Sequence, residues 1–124
     1  MHELGLIFHV IKDIEAVGKE NKLKKVNAVT LEIGEVSGVV ESYMTDCWRW
    51  AADKSELLCG SQLVIDTIPA VTVCEECGQN YETVKHGRTC PYCQSENTHL
   101  VAGNEMNIKE IEACWRRTYT LLSF

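Results

Sequence analysis

Seven cysteines stand among 124 residues, and four of them fall in a pattern suited to metal chemistry. Cys74-Glu75-Glu76-Cys77 and Cys90-Pro91-Tyr92-Cys93 form two C-x2-C pairs separated by twelve residues. Each pair fits a tight turn that points two sulfurs at one ion, and the connecting loop brings the second turn opposite the first. Four thiolates at ~2.3 Å then close a tetrahedral shell, the usual structural zinc site. Gly78 directly follows the first pair and suits a turn that aims backbone N–H groups at the sulfurs. A single iron also accepts four thiolates. The aromatic packing expected around such an iron has only Tyr81 and Tyr92 to draw on, which favours zinc. The odd cysteine count argues against a complete disulfide framework. Cys47, Cys59 and Cys114 are isolated; Cys47 falls on an apolar helix face and reads as core filler.

Met1-His2-Glu3 is the second chemical feature. A histidine at position 2 lies one peptide from the α-amine. The amine, the deprotonated amide nitrogen of His2 and its imidazole can close two fused chelate rings. Square-planar nitrogen coordination of this kind favours Ni(II) or Cu(II) over zinc. A fourth position remains for Glu3 or for a residue from elsewhere. The plainer reading is a solvated helix start, with Glu3 near the positive helix end.

Helical and strand periodicity supplies the elements that must carry these groups. Leu4, Ile7, Ile11 and Ile14, widened by Phe8 and Val17, predict an amphipathic helix that Gly18 should end. Val29, Leu31 and Ile33 alternate with polar residues in a half-buried strand. A second helix is expected from about 42 to 58, with Met44, Cys47, Trp48, Ala51 and Leu58 on one side and Gly60 stopping it. A second strand around Leu63, Ile65 and Thr67 closes at Pro69, and Met106, Ile108 and Ala113 suggest a third. Residues 71–103 are poor in large aliphatics, so a metal must substitute for a core there. The expected fold is α+β: a small three-stranded sheet packed with two helices, carrying an inserted zinc-ribbon-like domain. The expected boundaries are 1–70, 71–103 for the zinc module, and 104–124 for the return strand and tail.

Charge and motif content narrow the function. The net charge of −6 opposes nucleic-acid binding, and the module itself sets Lys85 and Arg88 against Glu75, Glu76, Glu82 and Glu96. No run approaches the ~20 apolar residues of a membrane span, and the start lacks a signal peptide's pattern, so a cytoplasmic protein is expected. No G-x4-G-K-[ST] loop is present, so nucleotide hydrolysis must come from a partner. No catalytic triad or paired-carboxylate motif stands out, and a non-enzymatic role follows.

The M-H-E start, the amphipathic helix, the strand ending Leu31-Glu32-Ile33-Gly34 and the paired cysteines occur together from residue 1 to about 113. In this combination the sequence resembles the HypA/HybF family of hydrogenase nickel-incorporation proteins. The resemblance implies a metallochaperone that carries Ni(II) to the [NiFe]-hydrogenase large-subunit precursor, working with a HypB-type GTPase. It implies nickel at Met1, His2 and Glu3, and structural Zn(II) at Cys74, Cys77, Cys90 and Cys93. It also implies an α+β nickel domain with an inserted zinc domain. His86 lies between the cysteine pairs and His99 follows them; each is a candidate additional ligand or a surface histidine. The tail from Cys114 to Phe124 departs from the family pattern, and Trp115, Tyr119 and Leu122 could form a short apolar helical stripe there. A monomer or a homodimer is expected. The competing readings are a zinc-ribbon protein-binding adaptor and a rubredoxin-like iron electron carrier.

Overall fold

A computed structural model describes residues 3–115 and 118–124. Helix α1 (Glu3–Asn21) buries Ile7, Val10, Ile11 and Ile14. Its buried face is rotated from the expected stripe, because Leu4 and Phe8 remain 37% and 45% exposed. Gly18 does not end the helix. It lies within it and is buried, and a Cβ built there would stand 2.6 Å from the Leu57 side chain. The helix ends at Asn21 instead. Lys22 then takes a φ of 56°, and the N–H of Leu23 donates to the Gly18 carbonyl at 2.8 Å.

Strand β1 (Lys25–Gly34) buries Val26, Val29, Leu31 and Ile33. Helix α2 (Glu41–Ala52) buries Met44, Trp48, Ala51 and Ala52 and packs against α1. The Trp48 indole donates to the Ser61 hydroxyl at 3.1 Å, so this large buried ring keeps a partner for its N–H. The helix stops at Ala52, short of the expected end near Leu58. Turns carry the chain from there to Gly60, and Leu58 is fully buried at their close. Burial of Leu58 by a turn gave it the spacing of a helix residue. Cys47 is only partly buried and is not core filler.

The remaining elements are β2 (Gln62–Ile68), β3 (Val71–Cys74), β4 (Asn80–Glu82), the single turn α3 (Thr83–His86), β5 (Thr98–Ala102), β6 (Met106–Cys114) and β7 (Tyr119–Ser123). One sheet has the order β2-β1-β6-β7 and the other β4-β3-β5. The α+β class expected from the sequence holds, with a fourth strand in the larger sheet. That strand, β7, replaces the helical stripe expected from Trp115, Tyr119 and Leu122. Tyr119, Thr120, Leu121 and Leu122 pair in antiparallel register with Cys114, Ala113, Glu112 and Ile111. Tyr, Thr and apolar residues in alternating exposure suit a pleated edge better than a helix.

Contacts divide the chain into two units. The first comprises residues 1–31, 39–66 and 107–124, and the second residues 32–38 and 67–106. Within the second unit, β1's last residue is packed backbone to backbone. A Cβ on Gly34 would lie 2.0 Å from the Gly103 carbonyl oxygen, and one on Gly103 (φ +107°) 2.4 Å from the Ala70 Cα. The N–H of Gly34 donates to the Glu105 carbonyl and that of Val36 to Gly103, each at 2.8 Å. Glycine is required because the obstructing atoms are main chain and have nowhere to go. Gly34→Ala is therefore expected to destabilise the fold by about 1–3 kcal/mol or more, read as a lower denaturant midpoint. An unchanged midpoint would mean that the backbones do not approach this closely.

Candidate metal centres

Both cysteine turns are built alike. Cys74 ends β3, its N–H donates to the Gln79 carbonyl at 2.9 Å, and Gly78 N–H returns to the Cys74 carbonyl at 2.8 Å. Cys90 repeats the pattern one for one, with its N–H on Ser95 at 2.9 Å and Gln94 N–H on Cys90 at 2.8 Å. Gly78 (φ +74°) and Gln94 (φ +64°) close the two turns in the left-handed region. Gln94 adopts it without glycine's freedom, as the fixed turn demands. The equivalence of positions 78 and 94 is readable from the C-x2-C repeat, yet the glutamine hides it.

These turns bring all four sulfurs within 4.8 Å of one another. Cys74 Sγ lies 3.5 Å from Cys93 Sγ, and Cys77 Sγ 3.6 Å from Cys90 Sγ. Those separations far exceed a disulfide bond. They match the ~3.8 Å tetrahedron edge that metal–sulfur bonds of ~2.3 Å generate. Cys74 and Cys90 are buried, and Cys77 and Cys93 are exposed, so one face of the cluster meets solvent. The Tyr92 N–H donates to the Cys90 sulfur at 3.4 Å.

The thiols do not ionise alike. Burial disfavours the Cys90 thiolate, but the N–H groups of Cys93 and Tyr92 and the neighbouring thiols outweigh it, lowering its pKa to about 7. At Cys93 the Ser95 N–H favours the thiolate. The Cys74 thiol, burial, and the Cys77 and Cys90 thiols together push it up to about 12. The Gln79 N–H favours the Cys77 thiolate, yet burial and the adjacent Cys90 and Cys74 thiols raise its pKa. Without a cation, ionising one sulfur makes the next harder to ionise. A bound divalent ion removes that conflict. The residues present therefore fit a tetrahedral metal.

A buried cluster in this part of the chain consists of Cys74, Tyr81 and Cys90. The Tyr81 hydroxyl donates to the Gly87 carbonyl at 2.9 Å, and its ring meets His86 edge-on at 5.9 Å. Tyr81, one of the two aromatic residues the sequence offers for packing around the cysteines, thus lies in one buried cluster with Cys74 and Cys90. His86 sits on α3 against that ring, outside the thiol cluster. His99, on β5, pairs through Nδ1 with Glu75 Oε1 at 2.5 Å and is also outside the cluster.

At the other candidate centre, Met1 and His2 lie outside the described residues. Glu3 opens α1 and is only 9% exposed. Its Oε2 accepts the backbone N–H of Val40 at 3.3 Å, at the N-terminal end of α2. Val40 caps α2 without a side-chain hydrogen bond of its own. The Glu3 carboxylate therefore lies at the N-terminal end of α2, where the helix dipole favours negative charge. This fixes the position of a carboxylate directly after His2.

An α+β fold carrying a four-thiol cluster defines a metal-handling protein, and the comparisons name its family. Residues 1–113 match the family model described as "Hydrogenase/urease nickel incorporation, metallochaperone, hypA". The chain belongs to the HypA/HybF family of hydrogenase maturation factors, a family of nickel metallochaperones and not of enzymes. It is 36% identical over 112 residues to the hydrogenase maturation factor HypA of Dehalococcoides mccartyi, covering 90% of this chain and 93% of that protein. It is 31% identical to HybF of Klebsiella pneumoniae, over 90% of this chain and 98% of the relative. The fold is shared with the solution structure of the Ni metallochaperone HypA from Helicobacter pylori. There the TM-score is 0.70 at 24% identity, covering 92% of this chain and 98% of that one. No helix among the described residues is long and apolar enough to cross a membrane.

The thin core beneath the four sulfurs leads to a metal-removal experiment. Stripping the metal is expected to unfold the segment around residues 71–103 while α1 and α2 keep their helical circular-dichroism signal. Acidification should do the same, since protonated thiols cannot coordinate and affinity falls as pH falls. A metal-free protein that keeps dispersed NMR resonances throughout this segment would refute the structural role.

Proposed function

We propose that this chain is a nickel metallochaperone that delivers Ni(II) to the [NiFe]-hydrogenase large-subunit precursor during maturation. One observation carries the reading: the family match begins at residue 1 and so includes Met1-His2-Glu3. In the proposed site the Met1 amine, the His2 amide nitrogen and the His2 imidazole supply nitrogen ligands to the cargo ion. The carboxylate of Glu3, tethered at Val40, is offered as a further ligand from a fixed position. An ion held at a chain end, exposed to exchange, suits hand-over better than storage.

The second metal has a different task. Cys74, Cys77, Cys90 and Cys93 hold Zn(II) as a closed structural site, supplying folding energy and no chemistry. The sulfur separations support this assignment. Square-planar nitrogen ligation favours Ni(II) and the tetrahedral four-thiolate set favours Zn(II), so the two centres select different ions. The chain contains no phosphate-binding loop, so a HypB-type GTPase is the proposed source of nucleotide hydrolysis. The proposed site of action is the cytoplasm, where the thiols stay reduced and free to bind metal.

Two measurements test this reading. His2→Ala is expected to abolish tight nickel binding while leaving one zinc per chain, as calorimetry and metal analysis would report. Retained nickel affinity would exclude His2, and loss of both metals would show that the sites are not independent. Adding one Gly before Met1 is expected to change both the affinity and the absorption spectrum of bound nickel. The extension converts the Met1 amine to an amide and makes His2 the third residue of a new chelating tripeptide, a site with four nitrogens. Binding should strengthen with pH, because the amine and the imidazole must lose protons to coordinate. An unchanged spectrum and affinity would remove the amine from the ligand set.

A further inference from the structure

Four lysines line one cleft on a chain whose net charge is −6. The cleft, of about 610 Å³, lies in the first unit, between the end of α1 with the turn that follows it and the segment that follows α2. Lys19 stands in the last turn of α1, where a positive side chain answers the helix's own negative end. Lys22, Lys24 and Lys54 fall outside both helices. All four are exposed, and among the described residues none forms an ion pair with a carboxylate. The Lys54 ammonium rests 3.9 Å from the centre of the Trp50 ring, a contact that leaves its charge intact. Two glutamates share the lining, and one of them, Glu15, accepts the hydroxyl of buried Ser55 at 3.1 Å.

Backbone bonds tie the walls of the cleft together. The Val26 N–H donates to the Leu57 carbonyl at 2.8 Å, joining the start of β1 to the segment after α2. The tail braces the turn after α1, where the Lys24 N–H donates to the Cys114 carbonyl at 2.9 Å and the Trp115 indole to the Asn21 carbonyl. Trp115, Asn21 and Lys22 border a second hollow of about 460 Å³, so Lys22 stands between the two. Trp115 lies beyond residue 113, where the family match stops. Between the exposed lysines the cleft is apolar: Leu23 and Leu57 are half-buried, and Leu57 packs over Gly18.

We infer that this cleft docks an acidic peptide segment of a partner protein, its carboxylates set against the four ammoniums and an apolar side chain seated on Leu23 and Leu57. Charge complementarity selects the sign of the occupant. The chain as a whole is acidic, so an acidic segment is repelled by most of its surface and held where the lysines gather. The interior selects a peptide over a phosphate. A phosphate calls for converging N–H groups or a helix N-terminus. Both helices instead reach this cleft by their C-terminal ends, and the two leucines offer no side-chain donor. Lysine, a point charge on a flexible stem, suits carboxylates spaced along an extended segment. At about 1.5 Å per residue, α1 sets Asn21 about 27 Å from Glu3, so a segment bound here leaves the start of the chain uncovered.

The test uses the untagged, metal-loaded full chain and a short fluorescein-labelled peptide of Asp and Glu with one central Leu. Saturable binding by fluorescence anisotropy is expected at low salt, weakening as salt is raised. The same peptide with Asn and Gln in place of the acids should not bind. Amide resonances of residues 19–24 and 54–57 should shift in NMR spectra as the acidic peptide is added. Lys22→Glu combined with Lys24→Glu should weaken binding by about tenfold or more, because the reversed charges repel the carboxylates. Lys12→Glu combined with Arg49→Glu makes the same change in net charge away from the cleft and should weaken it by about twofold or less. All four side chains are exposed, and unchanged circular-dichroism spectra and metal content would establish that both variants fold. Inorganic tripolyphosphate serves as the competing probe. Tripolyphosphate that binds where the peptide does not, binding retained by the cleft variant, equal losses in both variants, or shifts confined to other residues would each overturn the proposal.

Discussion

Mutual repulsion among four crowded sulfurs is the constraint on which the second unit depends. Their separations of 3.5 and 3.6 Å across the cluster place them where thiolates cannot coexist without a cation between them. The chain spends two matched turns, including a glutamine in the left-handed region, to hold that geometry. Among the described residues, Tyr81 joins the two buried cysteines in one small cluster. A segment with so little apolar burial stays folded through ligand bonds rather than through packing.

The first unit follows the opposite rule. Ile7, Ile14, Val26, Val29, Leu31, Met44, Trp48, Leu58 and Ile111 are all essentially inaccessible, and they hold α1 and α2 without help from a metal. This unit presents the start of α1, where the Glu3 carboxylate accepts the Val40 N–H at the head of α2. A dissociable metal site benefits from such an arrangement. In the proposed nickel site the ligands at Met1 and His2 exchange, while the buried side chains of α1 and α2 hold the helices behind them. In the proposed function the two metals act on separate parts of the chain, one maintaining a fold and the other passing through.

The sequence made the chemical residues easier to see than the architecture. Two C-x2-C pairs carry their geometry in their spacing, and the structure brings those four sulfurs together. Helix and strand types also follow from periodicity, but their limits depend on tertiary contacts that spacing does not encode. Gly18 looks like a helix stop and is instead a close contact with Leu57. Leu58 keeps a helical interval while being buried by a turn. Trp115, Tyr119 and Leu122 can be placed on a helix, whereas the pairing with β6 makes Tyr119 to Ser123 a strand. Tyr81 and Tyr92 were both legible as aromatic candidates beside the sulfurs, but only the packing makes Tyr81 buried and leaves Tyr92 66% exposed. Glu3 was legible as a ligand candidate, but its bond to Val40 joins positions 37 apart and has no local signal.

Hand-over of the ion is the central functional claim, and a transfer experiment addresses it directly. The chain is loaded with one equivalent of nickel and mixed with metal-free [NiFe]-hydrogenase large-subunit precursor and a HypB-type GTPase with GTP. A chelator strong enough to capture released nickel is included, and the proteins are then separated and analysed for metal. The expected result is nickel in the precursor despite the chelator, with zinc remaining in this chain. Nickel retained by the chain, or recovered in the chelator alone, would contradict delivery.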